Sequence, residues 1–167
     1  MTRSEGVKKW GNTWSVMSNE ISLSTTAYAA GDLMGGLLTF NDVLETDIGG
    51  GTIVGAEIID TSTVVAAIDL IVFQNALSTG TSATGDNAAF DLSDTDMVKV
   101  SDVISFSTGY LKQYADNALH MVASELDSPF YLSGGNDLYG VLVSQAAPTY
   151  TTGNSLSVRL DIRRDAD

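Results

Sequence analysis

The sequence predicts an all-β protein: an antiparallel β-sandwich of jelly-roll type, with short helices at most and an extended N-terminal arm. Three observations carry this expectation. From Ile21 onward the apolar residues alternate with polar ones or form short runs rich in Val, Ile and Leu, bounded by Gly, Asn, Asp, Ser and Thr; that is the pattern of strands and turns. The segments recur without any stretch that reads as a linker, as expected of one two-layered domain. The 167 residues include no Cys, so the fold has to rest on its core, and a chain of this length hides roughly 70% of the surface its unfolded form exposes. Residues 1–20 are read as the arm and 21–167 as the sandwich.

In chain order, Ile21 to Tyr28 alternates and meets a turn at Gly31-Asp32. Leu33 to Phe40 is a second strand, with Gly35-Gly36 marking a bulge or a close backbone approach. A polar connection, Asn41 to Asp47, leads into Gly49-Gly50-Gly51. Thr52 to Asp60 and Thr63 to Gln74 follow, and Asp60-Thr61-Ser62 suits a turn joining them as a hairpin. Asn75 to Asp86 is low in complexity and reads as a surface loop. Ala88-Ala89-Phe90 begins a short strand. Ser93 or Asp94 is placed to cap one helical turn, with Asp96 in its acidic start. Val103 to Ser107 is extended, Tyr110 to Asn117 fits either a helical turn or a loop, and Ala118 to Ser124 is extended again. Pro129 to Leu132, Leu138 to Ser144 and Ser155 to Ile162 complete the strands.

Charge separates the arm from the body. The chain carries 21 acidic and 8 basic side chains, a formal charge of −13. Arg3, Lys8 and Lys9 against Glu5 make the first nine residues positive, whereas only Lys99 and Lys112 oppose the carboxylates between residues 10 and 158. So acidic a body disfavours nucleic acid, whose phosphates need Lys and Arg. No apolar run reaches the ~20 residues of a membrane span, and no apolar stretch follows the basic N-terminus as a secretory signal would require. Neither nucleic acid nor membrane is expected as a partner. Both tryptophans, Trp10 and Trp14, lie in the arm. A basic arm with two indoles reads as an anchor in which Arg3, Lys8 and Lys9 meet an acidic surface and Trp10 and Trp14 enter apolar pockets. The alternative is that the indoles fold back onto their own sandwich.

Groups that could carry chemistry are few. His120 is the single histidine; no GxSxG elbow accompanies it, and Met121-Val122 beside it read as strand core. Gly49 to Gly55 lacks the Lys of a phosphate loop. Asp91, Asp94 and Asp96 lack the spacing, Gly and Glu of an EF-hand. Asp42, Glu45 and Asp47 offer oxygens for a loop-built Ca²⁺ site, with a solvated turn as the alternative. Tyr110, Tyr114, Tyr131, Tyr139 and Tyr150 fall mostly at strand ends or in loops, where they would serve a sugar-binding platform or an interface equally well. No catalytic residue, cofactor or required metal is expected.

Several segments taken in order do resemble a known family. They are Ala27-Tyr28-Ala29-Ala30-Gly31-Asp32, the glycine run into Ile53-Val54, Ala67 to Phe73, Asp86-Asn87-Ala88-Ala89-Phe90, Leu138 to Val143, Ala147-Pro148-Thr149-Tyr150 and Leu156 to Leu160. Together, over roughly residues 21–164, they resemble small virion proteins of tailed bacteriophages regarded as head decoration or cement proteins. The resemblance implies a structural role without catalysis: a homo-oligomer, a trimer in preference to a dimer, bound to the major capsid protein on the outer surface of the head, where it ties capsomers together. The competing expectation is a receptor-binding or carbohydrate-binding sandwich in a tail or head appendage. The arm lies outside the resemblance.

Overall fold

The computed structural model describes residues 7–10, 12–62, 64, 66–78, 81, 85–108, 111–115 and 118–165, with backbone alone for 7–10, 111–115 and 118–121. Arg3 and Tyr110 therefore lie outside the described residues, as do the side chains of Lys8, Lys9, Trp10, Tyr114 and His120. Eleven strands and one short helix make up the fold: β1 (Val7–Trp10), β2 (Thr13–Met17), β3 (Ile21–Ser22), β4 (Leu33–Phe40), β5 (Gly49–Asp60), β6 (Ile68–Phe73), α1 (Asp94–Met97), β7 (Val100–Phe106), β8 (Leu111–Ala115), β9 (Ala118–Leu132), β10 (Leu138–Ser144) and β11 (Ser155–Arg164).

All paired strands run antiparallel, in two sheets. The larger has the order β1-β2-β11-β5-β9-β8, with β3 beside the start of β11, and the smaller the order β4-β10-β6-β7. Alternation aims one side of each sheet inward. Ile53, Ala56, Ile58, Val158, Leu160 and Ile162 from the first meet Leu38, Phe40, Leu70, Val72 and Leu142 from the second in one continuous core. The all-β expectation holds.

Where the core-facing parity changes, the ladder slips. Along β5 the inward residues are Ala56 and Ile58 and then Ile53, and Val54 is the residue skipped in the pairing with β11. One extra residue moves a side-chain set to the other face, so this bulge keeps Ile53 beside Ile162. Opposite it, β9 loops out residues 125–127, where Glu125 has φ +60°. The two extended pieces expected at 118–124 and 129–132 are thus one long, bulged strand. Pro129 lies beyond the stretch of β9 that pairs with β8, an edge position that tolerates proline.

Three other expectations need correction. The hairpin between Thr52–Asp60 and Thr63–Gln74 does not form: β5 lies between β11 and β9, while β6 lies between β10 and β7 in the other sheet. Asp60-Thr61-Ser62 begins a crossing between layers. The strand expected from Ile21 ends at Ser22, after which Leu23 and Tyr28 are buried in irregular backbone whose amides bond to Asn154 and Pro148. The stretch read as a surface loop, Asn75 to Asp86, is also partly an inner surface, continued by the residues that follow it. Leu77, Phe90 and Leu92 pack on Leu33, Phe73, Val141 and Val143, on the outer side of the smaller sheet.

Asp96 fastens that outer layer. Ser93 caps α1, as the sequence suggests, by accepting the Asp96 amide, and the fully buried Asp96 carboxylate takes hydrogen bonds from the amide and hydroxyl of Ser78 and from the Thr81 hydroxyl, and pairs with Lys99 at 2.6 Å. Burial opposes its charge, but Lys99, Thr81 and Ser78 outweigh that and hold the carboxyl well below the usual carboxylate range.

Gly35 is required by both conformation and space. Its φ is +77°, and a Cβ there would lie 2.6 Å from Ile21 Cδ1. Gly35→Ala is expected to lower unfolding free energy by at least about 1–2 kcal/mol, the cost of left-handed backbone alone, measured by urea denaturation with an unchanged m-value.

Candidate functional site

The N-terminal arm is largely a piece of sheet. β1 and β2 form a hairpin, with Lys8 opposite Ser15, Lys9 opposite Trp14 and Trp10 opposite Thr13. β2 then pairs with β11 from Met17–Arg159 to Thr13–Arg163. A period-two signal is present in Trp14-Ser15-Val16, whose first and third side chains are 6% and 1% exposed. Residues 7–10 and 13–17 of the expected arm thus belong to the larger sheet.

Trp14 is held by its own chain. The Arg164 guanidinium lies 3.8 Å from the centroid of the indole. It also donates to the carbonyls of Val43 and Asp42, each at 2.7 Å, and pairs with Glu45 at 3.2 Å. Cation–π attraction and two charge-assisted hydrogen bonds thus act on one desolvated group. Of the five residues expected to anchor the arm, Trp14 is accordingly a member of the fold rather than a side chain free to enter a partner's pocket. Lys8, Lys9 and Trp10 are carried on the edge strand β1 of the same sheet.

The loop considered for Ca²⁺ is tied to its neighbours by several bonds, and some of its oxygens are among the acceptors. Asp42 Oδ1 accepts from the Asn136 amide, the Asp42 backbone amide donates to Asp137, Glu45 pairs with Arg164, and the Asp47 carbonyl accepts from Gly135. Among the described residues no group of three or more His, Asp or Glu is arranged to hold a metal ion. On the outer face of the larger sheet, Glu57 meets Arg159 at 2.5 Å across β5 and β11, and the Ser15 hydroxyl donates to Asp161.

A buried polar layer escaped the sequence reading. Asp60, assigned to a turn, is 1% exposed at the inner end of β5; one carboxylate oxygen accepts the Ser62 amide at 2.7 Å, and the other has no partner among the described residues. Burial pushes its carboxyl up, against the lowering effect of Ser62. Tyr150, also buried, has a hydroxyl without a partner among the described residues and packs edge-on against Tyr28 at 5.9 Å. Tyr28 in turn donates to Asp86 at 2.6 Å and accepts the Ser24 amide. Burial pushes both phenols up, with Asp86 adding to the effect on Tyr28 and Asp60 to that on Tyr150. Neither phenol is a base at neutral pH, and Tyr28, Asp60 and Tyr150 are closed to solvent, with Asp86 half-buried at their side. Its chemistry is that of packing. No sequence signal marks it, because Tyr28, Asp60, Asp86 and Tyr150 belong to four distant segments.

No protein-family model matches this chain, and no curated protein does.

Trp14→Ala should cost about 3–5 kcal/mol of stability, the range for removing a buried indole, and Trp14→Phe much less; chemical denaturation compares them. Asp60 gives a pH test. The unfolded carboxyl ionises near 3.8, while the folded one keeps its proton to higher pH. The folded state therefore binds more protons above that pH, and stability falls as pH rises through this window. The melting temperature of the natural protein, relative to that of Asp60→Asn, should improve as pH is lowered from 7 towards 4. A difference independent of pH would contradict the assignment.

Proposed function

We propose that this chain is a structural virion protein, a decoration or cement protein that binds the outer surface of a bacteriophage head and stabilises contacts between capsomers. The observation that carries the reading is the strand order. Numbering β2, β4, β5, β6, β7, β9, β10 and β11 from one to eight, the sheets read 1-8-3-6 and 2-7-4-5. That order supports reading the two sheets as a jelly-roll sandwich, an architecture common in viral capsid domains and also used by lectins. Fold alone does not assign function. Three further features support this reading: the resemblance over residues 21–164, the charge of −13, which keeps particles apart in solution, and a basic arm opposite in sign to the body.

In this reading the partners are the major capsid protein and sister copies, in a trimer preferred over a dimer. The contact is made by Arg3, Lys8, Lys9 and Trp10 together with the free edge of β1, while Trp14 stays in the sandwich. Charge steers the arm to acidic surface and fixes register, and an edge strand offers backbone groups for pairing.

The test is add-back. Capsids stripped of this protein should lose heat resistance and regain it with the full chain, which should appear on the outside of the head in a cryo-EM map at lattice-scale copy number. A variant lacking residues 1–10 keeps Trp14 and Arg164 in place, so it should fold with a similar melting temperature and fail to bind. Full occupancy by that variant would transfer the contact to the loops, and a few copies at the tail in place of many on the head would overturn the cement role.

A further inference from the structure

At one end of the molecule, where β6 stops, β9 stops and β10 starts, the two sheets leave an open pocket of about 290 Å³. Its floor is the buried Leu132, and one wall is the half-buried ring of Tyr139, which packs on the smaller apolar cluster. Three polar side chains face this space. Gln74 is fixed because its Oε1 accepts the Tyr131 amide at 3.4 Å, which leaves its NH₂ to donate. Asp137 is fixed because Oδ1 holds the Asp42 amide at 2.9 Å, which leaves Oδ2 to accept. Asn75 adds a second carboxamide, and among the described residues neither it nor the Tyr139 hydroxyl has a hydrogen-bond partner. The far wall is the bare backbone of Gly134 and Gly135, around which a Cβ would meet only open space.

We propose that this pocket binds the terminal residue of a neutral glycan. The donor and acceptor set selects the class. One carboxylate and two carboxamides satisfy vicinal hydroxyls, which both donate and accept, and an aromatic ring flanking them covers the C–H face of a pyranose. Among the described residues neither Lys nor Arg lines the pocket, and the Lys99 ammonium behind the Ala76 carbonyl, 2.7 Å from it, is already paired with Asp96, so a phosphate, sulfate or uronate would meet Asp137 without a free counter-charge. The volume lies at the lower end of ligand pockets and suits one sugar ring. Two of the polar groups are already held in place by backbone bonds, so little side-chain freedom is lost on binding. The inference stands apart from the capsid role: the arm and the pocket share no residue, and loss of either leaves the other testable.

The test is titration of the ¹⁵N-labelled full chain with methyl glycosides of glucose, galactose, mannose and N-acetylglucosamine, followed by amide chemical shifts. At least one glycoside is expected to give saturable shifts at Asn75, Gly134, Gly135 and Tyr139, with a Kd on the order of millimolar, as a ligand of one ring allows. Tyr139→Ala should weaken that binding about tenfold, and Asp137→Asn, which keeps the acceptor for Asp42, should do likewise. Tyr139→Phe retains the packing and the ring, so it separates lost stacking from lost folding. The proposal is overturned if no glycoside gives saturable shifts, if the shifts fall elsewhere, if the two weakening variants bind as tightly as the natural chain, or if methylammonium occupies the pocket in place of the sugars.

Discussion

Strand β11 is the member on which the larger sheet depends. It lies between β2 and β5, and its inner residues Leu156, Val158, Leu160 and Ile162 are fully buried. Every one of those pairings joins the last segment of the chain to residues about a hundred or more positions earlier. Such closures lose chain entropy before contacts compensate, which makes folding slow for a given stability. The sheet also stays incomplete until β11 has been made. Arg164, at the end of the same strand, then ties Trp14 to the Asp42–Glu45 loop.

A second dependence runs through the outer layer. Each sheet of a two-layered fold has one face left over, and on the smaller sheet that face is apolar: Leu33, Phe73, Val141 and Val143 would meet water without the 75–99 segment. The segment is short of regular structure, so its position rests on a bridge between Asp32 and Ala89 and on the bonds to Asp96. A buried carboxylate serves here because it can gather several donors at one point.

How much of this was legible in the sequence varies with the range of the forces involved. Leu33–Phe40 and Leu138–Ser144 are strands with the bounds their flanking turn residues suggest, and Ser93 caps the helix that its spacing to Asp96 implies. These depend on near neighbours. Pairing partners were not legible: Asp60-Thr61-Ser62 reads locally as a hairpin turn, yet strands before and after it have the same apolar make-up whether they pair with each other or cross between sheets. For the arm, alternation in Trp14-Ser15-Val16 was visible, but Arg164, its charged partner, stands 150 positions away. The pocket was hidden for the same reason. Gln74, Asp137 and Tyr139 converge only because β6 and β10 are neighbours and β9 ends above them. Asp60 read as a turn residue and Asp96 as an acid in the first turn of a helix, and neither reading shows burial, because burial of an acid is decided by whatever packs over it.

The unpartnered oxygens of Asp60 and Tyr150 bear on how this protein would change under selection. A buried polar atom without a partner costs about 1–3 kcal/mol, a large part of the ~5–15 kcal/mol by which a domain is stable. With no partner for those two atoms among the described residues, the shortest route to a more robust molecule passes through those two positions rather than through the packed strands around them. Substitutions that mend the pair would widen the range of destabilising changes the rest of the chain can accept.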